Sequence, residues 1–199
     1  MIDTILDFYY QSRWIDIVAV ITGILYVILA SRNHILCWPF GIVSSALITY
    51  SVCFYMNLYM ETVLNAFYVV AGIWGWINWS KQNKASNKIK SLSVNHHLVI
   101  IASGFLMTFL FGFLLGYIPK ASSTYLDSFT TIFAFTATIM TAKRILENWF
   151  YWILADMVSI YLYFIRGGEF YVILFTVYII FSVLGYINWR KEYKENLSE

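Results

Sequence analysis

The sequence predicts an all-α integral membrane protein whose seven transmembrane helices form a 3+1+3 parallel repeat. Three observations carry that prediction. The 199 residues are 60% hydrophobic and only 12% charged, with a mean hydropathy of +0.68, a balance found in polytopic membrane proteins rather than in soluble domains. The apolar residues gather into seven stretches, each near the ~20 residues that a helix needs to cross the hydrocarbon layer. Finally, Gly75-Trp76-Ile77-Asn78-Trp79 returns as Gly185-Tyr186-Ile187-Asn188-Trp189, 110 residues later.

The seven spans run over 14–31, 37–55, 58–80, 96–118, 125–142, 147–165 and 169–190. Span 2 carries Pro39 in its first turn, where a missing N–H has no intrahelical partner to lose. Only Tyr55-Met56-Asn57-Leu58 separates spans 2 and 3, which predicts a tight hairpin. Spans 6 and 7 turn at Arg166-Gly167-Gly168-Glu169, where glycine permits left-handed backbone. The long polar segment Ser80–His97 holds Lys81, Lys84, Lys88 and Lys90 and no acid. Cys37 and Cys53 sit 16 residues apart on one predicted helix, a separation of ~24 Å that forbids a bond between them. Met1-Ile2-Asp3-Thr4 lacks the basic start of a secretory signal, so the first helix is expected to target the chain.

Basic residues orient the spans. Arg32, Lys81, Lys84, Lys88, Lys90, Lys143, Arg144, Arg190, Lys191 and Lys194 fall on one side, and Arg13, Lys120 and Arg166 on the other. The richer side is cytoplasmic, which places the C-terminus inside and the N-terminus outside. Trp14, Trp79 and Trp189 stand at span ends, as interfacial anchors do.

The repeat extends beyond the pentapeptide. Span 2 maps onto span 6 at an offset of 111, pairing Trp38 with Trp149, Ile42 with Ile153 and Tyr50 with Tyr161. Spans 2–3 therefore match spans 6–7, span 1 matches span 5 by position, and span 4 is a single linker helix. Four crossings between equivalent spans give both halves the same orientation, the arrangement of the sugar-transporting SWEET proteins, with a substrate site expected near mid-membrane between the halves. The expected organisation is a first three-helix bundle over 1–57 and 58–80, a cytoplasmic loop with linker helix over 81–120, and a second bundle with a cytoplasmic tail over 121–199.

The chemistry concentrates on span 6. Trp149, Trp152, Asp156, Ser159 and Tyr163 lie at helical offsets 0, 3, 7, 10 and 14 and share one face. A carboxylate at mid-bilayer costs at least ~2.5–3.5 kcal/mol to insert, so it is rarely idle. Two indoles above a buried acid make a seat for a flat organic cation. A structural alternative gives Asp156 to an interhelical hydrogen bond and the indoles to packing. Span 3 presents Asn65, Tyr68, Gly72, Gly75 and Trp79 at the same offsets, and span 7 presents Phe175, Tyr178, Ser182, Gly185 and Trp189. The candidate substrate-binding residues are thus Trp149, Trp152, Asp156, Asn65, Tyr68, Trp38 and Tyr178. Asn78 and Asn188, near the cytoplasmic surface, are candidates for gating or capping. Glu61 lies toward the outer surface and is expected to cap its helix or reach water.

Other chemistry is argued against. His34, His96 and His97 are expected in loops with no acid or cysteine cluster near them, which disfavours a metal site. No nucleophile-elbow, phosphate-loop or zinc-protease motif occurs, so neither an enzyme nor a cofactor is expected. Lysines and arginines lie in loops between apolar spans, with no nucleic-acid footprint.

Arg144-Ile145-Leu146-Glu147-Asn148-Trp149-Phe150-Tyr151-Trp152-Ile153, the preceding Leu126-Asp127-Ser128, and Tyr59 through Trp79 resemble the PnuC-type vitamin transporters over nearly the whole chain. The resemblance implies a SWEET-like fold and a bacterial inner-membrane facilitator of nicotinamide riboside, with a thiamine-transporting branch. It implies ligand contact for Trp149 and Trp152. It sets Asn65 where the nicotinamide riboside branch usually has glutamine, and Asp156 where that branch has asparagine. Asp156 accepts hydrogen bonds only and adds a charge when ionised, which suits thiamine; both vitamins are cations. The resemblance also implies a cytoplasmic vitamin kinase that traps the imported substrate. The oligomeric state stays open, a homo-oligomer included.

The expected function is therefore uniport of an unphosphorylated cationic vitamin by alternating access, against the alternative of a non-transporting membrane scaffold or sensor. The topology has its own test. A reporter fused after Glu199 is expected to read as cytoplasmic and a label at Thr4 to react from outside; both termini on one face would overturn the seven-span reading.

Overall fold

The computed structural model describes residues 2–54, 59–81, 88–117, 123–165 and 169–198. Seven α-helices follow in order: α1 (Ile2–Ser31), α2 (Cys37–Phe54), α3 (Tyr59–Ser80), α4 (Val94–Leu115), α5 (Thr124–Ala142), α6 (Asn148–Ile165) and α7 (Glu169–Ser198). The predicted turns at 55–58 and 166–168 and the side chain of Glu61 lie outside the described residues. By length and apolarity alone, Trp14–Ser31, Val94–Leu115 and Val172–Ser198 can each cross a membrane among the described residues.

Two helices run past their predicted spans. α1 begins at Ile2 rather than at 14, and α7 continues to Ser198 rather than stopping at 190. Neither extension contains a proline or glycine. On α7, Lys191 and Glu195 stand four residues apart, a spacing that supports an exposed helix. Hydropathy sees where the apolar stretch ends, not where the helix does.

The chain divides into two compact units, Met1–Gln82 and Asn83–Glu199. In the first, α1 packs on α2 and α2 on α3; in the second, α4 packs on α5, α5 on α6 and α6 on α7. The predicted linker helix, α4, thus lies against α5.

Each unit repeats the same local construction. The turn after α1 closes with hydrogen bonds from His34 N–H to the Leu29 carbonyl (3.0 Å) and from Asn33 N–H to the Ala30 carbonyl (2.9 Å). After α5, Ile145 N–H reaches the Met140 carbonyl (2.9 Å) and Arg144 N–H the Thr141 carbonyl (2.9 Å). Asn33 (φ 51°) and Arg144 (φ 54°) take the left-handed conformation that ends such helices. Every pair in this comparison differs by the offset of 111 read from the sequence.

The helix seams repeat as well. Trp38 of α2 meets Trp79 of α3 edge-on at 5.3 Å and 90°. Trp149 of α6 meets Trp189 of α7 at 5.4 Å and 86°. Glycine makes room for each indole: a Cβ on Gly75 would strike the Trp38 ring, and one on Gly185 would come within 2.5 Å of the Trp149 ring. All four tryptophans are buried. Trp79 and Trp189, expected as interfacial anchors, are interior packing residues, because the small residue one turn earlier lets the neighbouring helix close over them.

These seams yield a stability prediction. Gly75→Ala and Gly185→Ala each overpack a filled seam and are expected to cost about 1–3 kcal/mol. The check is the melting temperature of the purified protein. Pairing Gly185→Ala with Trp149→Phe should recover part of the loss, and no recovery would place the strain elsewhere.

Candidate functional site

The second unit holds the densest chemistry. Asp156 sits two turns into α6 and is 4% exposed, a buried carboxylate. It lies close enough to Tyr178 of α7 for its charge to act on the phenol. Ser159, one turn further along α6, and Ser182 of α7 are buried too. Tyr178 is half-buried and meets the Phe175 ring edge-on at 5.9 Å. The sequence had drawn Asp156 and Tyr178 from separate stripes of two helices; the α6–α7 packing brings them together.

The two predicted indoles take different neighbours. Trp149 is 2% exposed, wedged against Gly185 and Trp189. Its indole nitrogen has no hydrogen-bond partner, and the same is true of Trp38 in the equivalent place of the first unit. An orphan donor that recurs in both halves belongs to the seam. Trp152 is half-buried and turns toward α5, where its indole N–H donates to the Thr141 hydroxyl at 3.2 Å. One helical face therefore serves two neighbours, α7 through Trp149 and Asp156, and α5 through Trp152.

Thr141 is part of a compact polar knot. Its hydroxyl lies 2.8 Å from the Ala137 carbonyl and 3.0 Å from Asn148 Oδ1. Asn148, fully buried, donates through Nδ2 to the Ile145 carbonyl at 2.7 Å. Neither Thr141 nor Asn148 was singled out from the sequence. The signal was available at the repeat offset, where the first unit has Ala30 and Cys37 in their places.

In the first unit, Asn65 is buried on α3 and Tyr68 is half-buried with its ring 6.0 Å from that of Phe67. Trp38 is enclosed in its seam. Asn78 is half-buried and Asn188 exposed, each near the end of the apolar part of its helix.

One expectation needs correcting. His96 and His97 are not in a loop but in the first turn of α4, and a single acid, Glu147, stands beside His97. Its Nε2 lies 3.8 Å from Glu147 Oε2, and its Nδ1 lies 2.9 Å from the Tyr151 hydroxyl. The partners are distant in sequence, so no local pattern could reveal them. They meet because residues 88–93 are stitched onto the turn before α6. Lys90 N–H donates to the Arg144 carbonyl and Leu146 N–H to the Lys90 carbonyl, each at 2.8 Å. Glu147 then accepts from the Ser91 hydroxyl and from Leu92 N–H. A mostly apolar cavity of about 360 Å³ opens beside this cluster, lined by His97, Phe105, Phe133, Glu147, Phe150 and Leu154 among others; it touches none of the sequence-predicted substrate residues. Among the described residues no group of acids, histidines and cysteines could hold a metal.

Known proteins can be set beside this geometry. The sequence profile of the family described as nicotinamide mononucleotide transporter matches residues 13–191. The nicotinamide riboside transporter PnuC of Neisseria mucosa is 29% identical over 98% of this chain and 79% of its own length. That of Haemophilus influenzae is 30% identical over 90% of this chain and 80% of its own length. A crystal structure of the vitamin B3 transporter PnuC superposes with a TM-score of 0.75, at 29% identity, covering 98% of this chain and 88% of that one. The match runs through both units, their paired tryptophan seams and the α6 face, and the chain belongs to the PnuC family of membrane transporters.

Proposed function

We propose that this chain carries nicotinamide riboside, or a flat vitamin cation of the same kind, across the bacterial cytoplasmic membrane by facilitated diffusion. The observation that carries the proposal is the buried Asp156 on the helix that also presents Trp152. A carboxylate in this setting supplies counter-charge and hydrogen-bond acceptors to a cation. The indole supplies a face for stacking and for cation–π attraction. The relatives from Neisseria mucosa and Haemophilus influenzae are nicotinamide riboside transporters, which supports that vitamin as the first candidate.

The proposed division of labour follows the contacts. Trp152 stacks on the ligand, and Asp156 with Tyr178 reads its charge and donors. Asn65 and Tyr68 are the first unit's polar and aromatic contribution. Trp149 and Trp38 serve the site indirectly by fixing α6 on α7 and α2 on α3. Asn78 and Asn188 remain the proposed gating pair. The carrier cycles by alternating access as a uniporter. The membrane potential alone favours entry of a monovalent cation by ~2.3 kcal/mol per 100 mV. A cytoplasmic vitamin kinase completes the process by making the product too charged to return.

Thiamine is the second reading. The observation that favours it is Asp156 itself, because an aminopyrimidine donates to a carboxylate. Uptake into proteoliposomes separates the two. Nicotinamide riboside is expected to enter and to be competed by excess unlabelled vitamin; transport of thiamine alone would reverse the assignment, and transport of neither would leave a scaffold.

Substitutions test the site. Asp156→Asn keeps the shape and removes the charge, and should weaken binding by about 1.5–3 kcal/mol, the range for hydrogen bonds to charged groups. A drop in melting temperature with affinity held within twofold would make Asp156 structural instead. Trp152→Ala should cost about 1–2 kcal/mol of binding in the protein that remains folded. Trp149→Ala should cost about 3–5 kcal/mol of stability, as large core truncations do. A Trp149→Ala protein that melts normally but binds nothing would move Trp149 into direct contact with the ligand.

A further inference from the structure

The repeat offset of 111 allows each residue of the second unit to be compared with its counterpart in the first. At four neighbouring places the two units differ in kind. Ala30 corresponds to Thr141, Cys37 to Asn148, Gly41 to Trp152 and Ser45 to Asp156. A fifth place is inverted in size: Tyr26 in the first unit corresponds to Ala137 in the second.

The size inversion explains how both units stay filled. In the first, Gly41 leaves a gap that the Tyr26 ring occupies from α1, since a Cβ on Gly41 would come within 2.8 Å of that ring. In the second unit the small residue, Ala137, is on α5 and the large one, Trp152, is on α6. The ring thus stands on the helix that bears the buried acid. The polar residues Thr141 and Asn148 accompany that exchange.

Their hydrogen bonds are directional. A backbone carbonyl only accepts, so the 2.7 Å contact with Ile145 must involve the Asn148 amide nitrogen, and Oδ1 then faces Thr141. The Thr141 proton goes to Asn148 Oδ1 or to the Ala137 carbonyl, and a lone pair of the hydroxyl is left for the Trp152 N–H. Thr141 is 1% exposed and β-branched, with few rotamers open to it. The acceptor is therefore fixed before any ligand arrives. Rotating the indole away would strand its N–H in a region with little water.

We infer that Thr141 is a positioning residue of the transporter: it acts through the Trp152 N–H to hold the indole in the orientation that stacks on the vitamin, a device that the first unit lacks. The inference rests on the reading of Trp152 as a ligand-stacking residue and adds what orients it. It also makes the ligand-reading chemistry unequal between the halves, concentrated where Thr141, Asn148, Trp152 and Asp156 replace Ala30, Cys37, Gly41 and Ser45.

The test is calorimetric titration of nicotinamide riboside into purified full-length protein, with melting temperatures recorded alongside. Thr141→Val keeps the volume and removes the acceptor, and is expected to weaken binding about fivefold, the scale of one net hydrogen bond. Thr141→Ser restores the hydroxyl and should return affinity to within about twofold of wild type, a rescue that a purely steric role would not produce. Trp152→Phe removes the N–H and keeps a ring. If Thr141 works through that N–H, the Thr141→Val/Trp152→Phe double variant binds no more weakly than Trp152→Phe alone. Should Thr141→Val fail to fold, Thr141→Ala takes its place in every arm. Additive losses in the double variant overturn the inference, as does wild-type affinity in the Thr141 variant while Trp152→Ala has lost binding; in both cases stacking survives. Wild-type affinity in Trp152→Ala overturns the stacking reading and the inference with it.

Discussion

An indole laid into the space left by a missing side chain is the contact on which the rest of this structure depends. Lipid tails are as apolar as leucine, so helices in a bilayer gain little from hiding apolar surface from one another and must rely on close packing. Gly185 beneath Trp149 and Gly75 beneath Trp38 provide it. The edge-on pairing with Trp189 and Trp79 locks each seam at one end. With that end of α6 held against α7, Asp156 comes near enough to Tyr178 for its charge to act on the phenol. The polar site is a by-product of an apolar fit one helical turn or two away.

The seam also accounts for the way similar residues have acquired different roles. Trp149 and Trp152 stand three positions apart on one face, yet the first is committed to α7 and the second to α5. The 60° between them on the helix is enough to send each toward its own neighbour. The same reasoning separates Trp38 from Trp152. Trp38 shares the environment of Trp149, down to an indole nitrogen with no partner. Nothing in the first unit corresponds to Trp152, because Gly41 stands there and Tyr26 has filled the gap. A duplicated scaffold has thus kept its seams in both copies and carries the Thr141–Trp152 hydrogen bond in the second alone.

Much of the fold was legible because the bilayer imposes a length on apolar segments. Spans 37–55, 58–80, 125–142 and 147–165 agree with α2, α3, α5 and α6 to within a residue at each end. The ends of α1 and α7 were not legible, since a helix can leave the membrane without losing its hydrogen bonds while hydropathy falls at the surface. The repeat was readable from one pentapeptide and from the match of span 2 to span 6, and the left-handed turns at Asn33 and Arg144 recur at the second of those offsets. The candidate site was legible on α6 alone. Helical offsets could not say which neighbour each residue of that face would meet, so the partition of the two tryptophans was hidden. The meeting of His97 with Glu147 was hidden for a different reason: it depends on backbone pairing at Lys90, and nothing in a run of lysines and serines announces a bridge to a turn far along the chain.

That bridge has a consequence in time. The Ser91 hydroxyl and the Leu92 amide meet a carboxylate that lies 56 and 55 residues further on. At synthesis rates of about 5–20 residues per second, their partner emerges some 3–11 seconds after they do. In that interval α4 and α5 are made, while residues 88–92 have only water to bond. The stitch therefore closes only once the turn before α6 has emerged. It is a fastening applied to a partly built unit rather than a nucleus from which the unit grows.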